Sequence, residues 1–265
     1  MFELDVSLPR TAFSPREVAR APDVWRAFQE VAVAGSTLAG WPPARLREAG
    51  VAFIVRSMTV RHQREAVFGE ALRARTWAAS IRRGMFFRRE SRLAAPDGPV
   101  AGTTQRWVHV GADLSLTRAT EELARDFPEE DLEPEVTMPA FDETSAGPVH
   151  AYGFRCWHTW MDPLAHVNHP AYLDWFDEGT ARVVARHGID PVAVVPVAET
   201  LTFREGITAP QDVRVESHLA GRTDDGAVAV AHRVVRVADG RVAARGTAIR
   251  RLRGGSDALA DAFRS

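Results

Sequence analysis

Lysine is absent, and all 33 basic side chains are arginine. That bias reads as the mark of a GC-rich bacterial genome and says nothing about activity. Charge of one sign is also missing in excess. The formal net charge of −2 provides no global field for nucleic acid or an anionic membrane surface. A single cysteine, Cys156, excludes an internal disulfide framework and a cysteine-rich metal site. No apolar run is long enough to cross a bilayer, and the N-terminus lacks a basic stretch followed by an apolar one. These absences point to a soluble cytoplasmic protein with no nucleic-acid or membrane partner. What is present is ordinary core material, 45% hydrophobic, in a length of 265 residues that suits one large domain or two small ones.

The patterning favours two. Residues 2–8 alternate as a strand, and Ser14-Pro15-Arg16-Glu17 reads as a turn. A helix is expected from Pro22 to Leu38, with Val24, Phe28, Val31, Gly35 and Leu38 on its buried face. Gly40-Trp41-Pro42-Pro43 ends it. Strands follow over 52–63, 69–81, 85–95 and 100–110, with an Asp97-Gly98 hairpin turn between the last two. Residues 121–148 are rich in proline and acid and read as a surface linker. The run Glu129, Glu130, Asp131, Glu133, Glu135 is expected to be a solvated face. The pattern then recurs: a strand over 152–160, a helix, and strands over 195–205, 211–219, 227–237 and 241–252. The turn Asp239-Gly240 lies 142 residues beyond Asp97-Gly98, and Gly179 and Tyr172 lie 144 beyond Gly35 and Phe28. A repeat of this length is a duplicated supersecondary unit. A long helix with one apolar face, followed by antiparallel strands, implies an α+β unit in which a curved sheet wraps the helix.

The stretch from Trp160 to Glu178 carries the chemistry. Asn168 is a suitable N-cap, Pro170 suits a first turn, and Tyr172, Trp175, Phe176, Gly179 and Val183 form an apolar stripe ending at His187-Gly188. The loop before this helix sets Asp162 and His166 beside a helix N-terminus, where free N–H groups and partial positive charge favour an oxyanion. The other repeat is an internal control. At the helix offset, Asp162, His166 and Asn168 correspond to Val18, Pro22 and Val24, so the fold does not require those polar groups. Blander readings stand beside these. Asp162 suits a turn, His166 suits a structural hydrogen bond, and Tyr172, Trp175 and Phe176 suit core packing. Glu178 either faces the site or pairs with an arginine. Cys156 reads as a small hydrophobe, and His158 has no evident partner. Glu205 shares a strand face with Leu201 and Phe203, which would point it inward at the strand end; its counterpart is Gln63.

Asp162-x-x-x-His166-Val167-Asn168, with Tyr172, Trp175 and Glu178, resembles the active-site loop and central helix of the hotdog-fold thioesterase superfamily. The loop is similar to Asp-x-x-Gly-His of the 4-hydroxybenzoyl-CoA thioesterase group. The whole chain resembles the double-hotdog, plant-type acyl-carrier-protein thioesterases. Phe53-Ile54-Val55-Arg56-Ser57-Met58, Gly69-Glu70, Arg75-Thr76-Trp77, Gly84-Met85, Arg88-Arg89, Trp107-Val108 and Phe203-Arg204-Glu205 follow that family's order. Leu164 stands where the family has Asn, and Gly206 where it has Cys. The resemblance implies a tandem hotdog, two curved antiparallel sheets each wrapped round a central helix and paired as an internal pseudo-dimer. Residues 1–120 would be a non-catalytic repeat contributing to an acyl pocket, 121–148 the linker, and 149–265 the catalytic repeat.

The implied activity is hydrolysis of an acyl thioester of acyl carrier protein or coenzyme A, with no metal or organic cofactor. Asp162, His166, Asn168 and Glu205 would be catalytic, and His169, Tyr172 and Glu178 would bind substrate. Backbone N–H groups near Asn168 and His169 would hold the oxyanion. Trp25, Phe28 and Trp77 would limit chain length. Arg82, Arg83, Arg88 and Arg89, or Arg250, Arg251 and Arg253, would receive the carrier unless they are ordinary solvated faces. Two alternatives stay open: a hotdog hydratase or dehydratase acting on the acyl chain, and a non-catalytic acyl-binding module. Association of two such chains also stays open. Convergence of Asp162 and His166 on one reachable pocket separates the thioesterase from the binding module.

Overall fold

The computed structural model describes residues 1–145 and 147–265; one linker residue, Ala146, lies outside the described set. The first half runs β1 (Phe2–Val6), α1 (Ala21–Leu38), α2 (Pro43–Glu48), β2 (Val51–His62), β3 (Leu72–Arg82), β4 (Phe86–Ala95) and β5 (Gly98–Gly111). A connection follows with α3 (Glu121–Asp126) and the short β6 (Asp142–Glu143). The second half runs β7 (His150–Arg155), α4 (Pro170–Arg186), β8 (Val194–Phe203), β9 (Asp212–Arg222), β10 (Val228–Arg236), β11 (Val242–Leu252) and α5 (Asp257–Ala262). The strands form one antiparallel sheet in the order β1-β3-β4-β5-β2-β8-β11-β10-β9, with β6 and β7 both on β9. Each half therefore has the same strand order, and the two orders meet head to head at β2 and β8. This is a double hotdog, as the duplicated pattern and the resemblance implied.

The helices are buried along the stripes the spacing predicts, except that Leu38, at the last position of α1, is exposed. Trp25, Phe28, Val31 and Gly35 of α1 and Tyr172, Trp175, Phe176, Gly179 and Val183 of α4 are inaccessible, and most belong to one core that crosses both halves. The α4 C-terminus closes as expected. Gly188 takes φ 71°, and the Ile189 N–H returns to the Val184 carbonyl at 3.1 Å.

The seam between halves is the β2–β8 ladder, from Ser57↔Thr202 to Arg61↔Ala198. A buried polar knot lies on it. The Glu199 carboxylate, fully enclosed, accepts from Trp25 Nε1 at 3.2 Å, meets His62 Nε2 at 2.9 Å, and pairs with Arg250, which also binds Asp177 at 2.6 Å. One carboxylate thus ties α1, β2, β8 and β11 together, with α4 joined through Arg250.

Three sequence expectations change. The acidic run is a strap at Glu133 and Glu135, although Glu129 and Asp131 stay exposed. Glu133 pairs with Arg75 at 2.5 Å and Arg92 at 2.9 Å, Glu135 with Arg88 and Arg106, and the Val136 N–H reaches Thr104 Oγ1 at 2.7 Å. Alternation places Arg88, Glu90 and Arg92 on one face of β4, and acids were needed to cover it. The two arginine clusters are also split: Arg88 is held by the strap and Arg89 and Arg250 are buried, whereas Arg82, Arg83, Arg251 and Arg253 remain exposed. Trp77 lies beneath Arg92 (5.2 Å) on the side away from α1, so it does not limit an acyl pocket. No helix among the described residues is long and apolar enough to cross a membrane.

Burial would raise the Glu199 carboxyl, but His62 and Arg250, with hydrogen bonds from His62 and Trp25, outweigh it and hold it at about 2. A carboxyl below its ordinary 4.5 contributes stability above that value and loses it as pH falls toward about 2. Glu199→Ala is expected to cost about 3–5 kcal/mol in denaturant unfolding at neutral pH, because it strands buried partners. Glu199→Gln should flatten the loss of stability between roughly pH 4.5 and the acid limit.

Candidate active site

The chain leaves β7 for a 3-10 turn at His158–Trp160, then folds the loop 161–169 back against itself. The Asp162 N–H donates to the His166 carbonyl at 2.8 Å, and the Ala165 N–H to the Asp162 carbonyl at 3.0 Å. Met161 and Val167 pair as an isolated bridge, and the Val167 N–H anchors the loop to Ile207 at 2.7 Å. The turn requires Ala165 at φ 62°, a left-handed conformation. The resembled loop has Gly at this point.

Within this frame Asp162 and His166 converge. Asp162 Oδ1 accepts the Leu164 N–H at 2.8 Å, and Oδ2 lies 3.4 Å from His166 Nδ1. Their side chains keep 15% and 20% exposure, so both are sheltered but reachable. They open onto a groove of about 1370 Å³ between the halves. The C-terminal half contributes the loop, Tyr172, Phe203 and Gly206. The N-terminal half contributes α1, β2, β4 and β5, including Phe53, Phe87, Arg89 and Trp107. Trp25 and Phe28, expected as pocket walls, are sealed in the core instead.

Asn168 does not cap α4 with its side chain. The cap position falls at His169, so Asn168 lies one residue too early, and its own N–H is taken by the Trp160 carbonyl at 2.9 Å. Asn168 lines the groove, but its N–H is not free for an oxyanion. The His169 N–H has no hydrogen bond among the described residues and sits at the positive end of α4. The His169 ring packs between Trp25, Trp107 and Phe203, at 6.5, 6.2 and 5.9 Å, and its Nε2 is enclosed without a partner among the described residues. Burial, helped by His166, lowers its pKa to about 3. Tyr172 stacks toward Trp175 and Phe203; burial raises its phenol, with Asp162 adding to the rise.

Two expected residues leave the centre. Glu178 is exposed and paired with Arg182 at 2.6 Å, away from the groove. Six residues beyond Tyr172 is a rotation of roughly 240° around a helix, which is the far face. Glu205 borders the groove, but its carboxylate is held by Arg236 at 2.8 Å and Arg241 at 3.4 Å. The strand ends at Phe203, where Arg204 and Glu205 both donate to the Ala243 carbonyl, and the alternation that would aim Glu205 inward stops there. A Cβ on Gly206 would come within 3.2 Å of the His166 Cβ, so the missing family Cys leaves room for the imidazole. Cys156 is buried with its thiol pushed up to about 11 by desolvation, unsuited to nucleophilic work. Among the described residues no three His, Cys, Asp or Glu side chains gather closely enough to hold a metal ion.

Residues 156–252 match the thioesterase-like superfamily, and residues 12–127 match the acyl-ACP thioesterase N-terminal domain. No protein of curated function matches the chain by sequence. Among solved structures, the 12:0-ACP thioesterase of Umbellularia californica superposes with TM-score 0.76 at 14% identity, covering 95% of this chain and 94% of that one. An acyl-ACP thioesterase of Bacteroides thetaiotaomicron gives 0.75 at 12%, covering 94% and 97%. A Lactobacillus plantarum protein assigned as an oleoyl thioesterase gives 0.79 at 15%, covering 95% and 96%. These likenesses fix the fold as the double hotdog. The family matches define the class: the protein is a thioesterase, a thiolester hydrolase. More closely, its N-terminal half matches the acyl-ACP thioesterase N-terminal domain and its C-terminal half the thioesterase-like superfamily.

Ala165→Gly should raise stability by about 0.5–1 kcal/mol, read as a higher Tm, by relieving the left-handed alanine. Because His169 stays neutral above roughly pH 5, His169→Gln should lower the rate without moving the acid limb of the pH–rate profile. A shifted limb would show that His169 titrates in the working range.

Proposed function

We propose that the protein hydrolyses an acyl thioester of acyl carrier protein, with the chemistry at Asp162 and His166. The observation that carries this reading is their convergence at the N-terminus of α4, in a groove walled by the other repeat. In this reading the Asp162 carboxylate takes a proton from water as the oxygen adds to the thioester carbonyl carbon. The His169 N–H, with the helix end behind it, steadies the oxyanion. Collapse breaks the C–S bond, and the proton passes from Asp162 to the leaving sulfur. His166, 3.4 Å from Asp162, orients the carboxylate and the incoming thioester. Asn168 and Tyr172 border the reacting carbon, and Glu205 stays outside the chemistry as an anchor for Arg236 and Arg241.

The division of labour follows. Residues 149–265 carry the reacting groups, residues 1–120 wall the acyl groove, and within the 121–148 linker residues 129–136 strap the outer face of the first sheet. The acyl-ACP match of the N-terminal half supports a carrier-protein substrate over coenzyme A. The reading places the enzyme in the cytoplasm, where carrier-bound acyl chains are made.

Thiol release from acyl-carrier-protein thioesters should fall about 10²–10⁴-fold in Asp162→Asn. Glu178→Gln should match the wild type. Release that survives in Asp162→Asn would move the catalytic carboxylate elsewhere. Substrate binding without release in the wild type would favour the acyl-binding module.

A further inference from the structure

Arg89 is a buried cation without a counter-charge. It is 8% exposed, on the inward face of β4. Its Nη1 donates to Thr76 Oγ1 and its Nη2 to Ser36 Oγ, both at 3.2 Å, and no carboxylate among the described residues lies within ion-pair distance. Its neighbours differ: Arg88 and Arg92 meet Glu135 and Glu133 across the strap, and the equally buried Arg250 has both Glu199 and Asp177. Arginine has five N–H donors, and a buried charge without a partner is costly. Desolvation accordingly lowers its pKa, to about 10, which leaves it charged at neutral pH.

The fold makes room for this side chain. A Cβ on Gly35 of α1 would come within 2.8 Å of Thr76 Cγ2 and 2.9 Å of Arg89 Nη1, so glycine at this point gives both side chains their room. The second repeat shows that the hotdog core does not need it. Thr76 stands against Gly35 as Ser217 stands against Gly179, Ser91 bonds Thr76 as His232 bonds Ser217, and a bulge follows Leu93 as one follows Val234. The three strand pairs are each 141 residues apart, and at that offset Arg89 corresponds to Val230, a fully buried apolar residue. The guanidinium shares one groove with Asp162 and His166. Gln29 of α1 lines the same groove, with a buried amide oxygen that has no partner among the described residues. Its amide can turn either end toward a ligand.

We propose that the acyl group this enzyme accepts carries an oxygen-rich, anionic group, a carboxylate, at the end remote from the thioester, and that Arg89 with Ser36 and Gln29 receives it. This rests on the thioesterase reading for the position of the thioester, and the test separates the two. The carboxylate supplies the charge Arg89 lacks, in a desolvated wall of Phe87, Trp107 and Phe127 where such a bond counts most.

The test uses the whole protein and pantetheine thioethers, which cannot hydrolyse, in matched pairs from hexyl to tetradecyl, with and without a terminal carboxylate. Calorimetric affinities are measured for wild type, Arg89→Met and Arg89→Lys. The wild type should bind the carboxylated member of at least one pair about tenfold to a hundredfold more tightly. Arg89→Met should abolish or reverse that ratio, and Arg89→Lys should keep part of it. Preference of the wild type for the plain chain at every length overturns the proposal, as does an unchanged ratio in Arg89→Met. If Arg89→Met does not fold, the wild-type and Arg89→Lys ratios decide. Thiol release from the matching thioesters separates the two readings. Hydrolysis of plain chains without carboxylate preference sinks this inference and leaves the thioesterase standing. Tight, Arg89-dependent binding without any release does the reverse.

Discussion

The pairing of β2 with β8 is the contact on which the rest of the molecule depends. It makes two sheets into one, brings α1 and α4 side by side, and leaves the groove between a loop of one half and the walls of the other. A backbone ladder alone would permit slippage, because neighbouring registers offer similar hydrogen bonds. The Glu199 knot removes that freedom. Its partners come from α1, β2 and β11 and fit only in one register, so the register is specified by a buried charge that would otherwise be stranded.

The same seam is used differently on its two sides. Trp25 and His169 occupy equivalent helix positions, 144 residues apart, and face one another across the pseudo-dyad. Around His169 the wall is Trp107 and Phe203, and the space beyond is groove. Around Trp25 the space is filled by His62, Glu199 and Arg250. Duplication thus allowed one side to become a rigid knot while the other stayed open. This accounts for a chain with two hotdogs and one proposed reacting centre. It also explains why the open side can tolerate strain at Ala165 and an unpaired His169, costs of the order of 1 kcal/mol each that the knot and the shared core absorb.

Much of this was legible in the chain. Helix and strand periods, the two Asp-Gly turns and the repeat offset give the double α+β unit, because each depends on local spacing. Asp162 and His166 were legible because both lie in one short loop. What depended on partners distant in sequence was not. Glu178 was misjudged by helix phase, Glu205 by assuming that alternation outlives the strand, and Asn168 by a one-residue shift of the cap. The acidic run looked solvated because composition does not show the arginine face opposite. That signal was present as Arg88, Glu90 and Arg92 at period two. Arg89 is the extreme case: its sequence context is an ordinary strand, and only the absence of a partner in three dimensions marks it.

The measurement that tests the account most directly is a crystal structure with a non-hydrolysable acyl-pantetheine thioether bound. The account predicts the sulfur beside Asp162 and His166, and the chain running across the seam into the N-terminal half between α1 and the Phe53, Phe87 and Trp107 wall. A chain lying wholly within the C-terminal half, or a sulfur remote from Asp162, would contradict it.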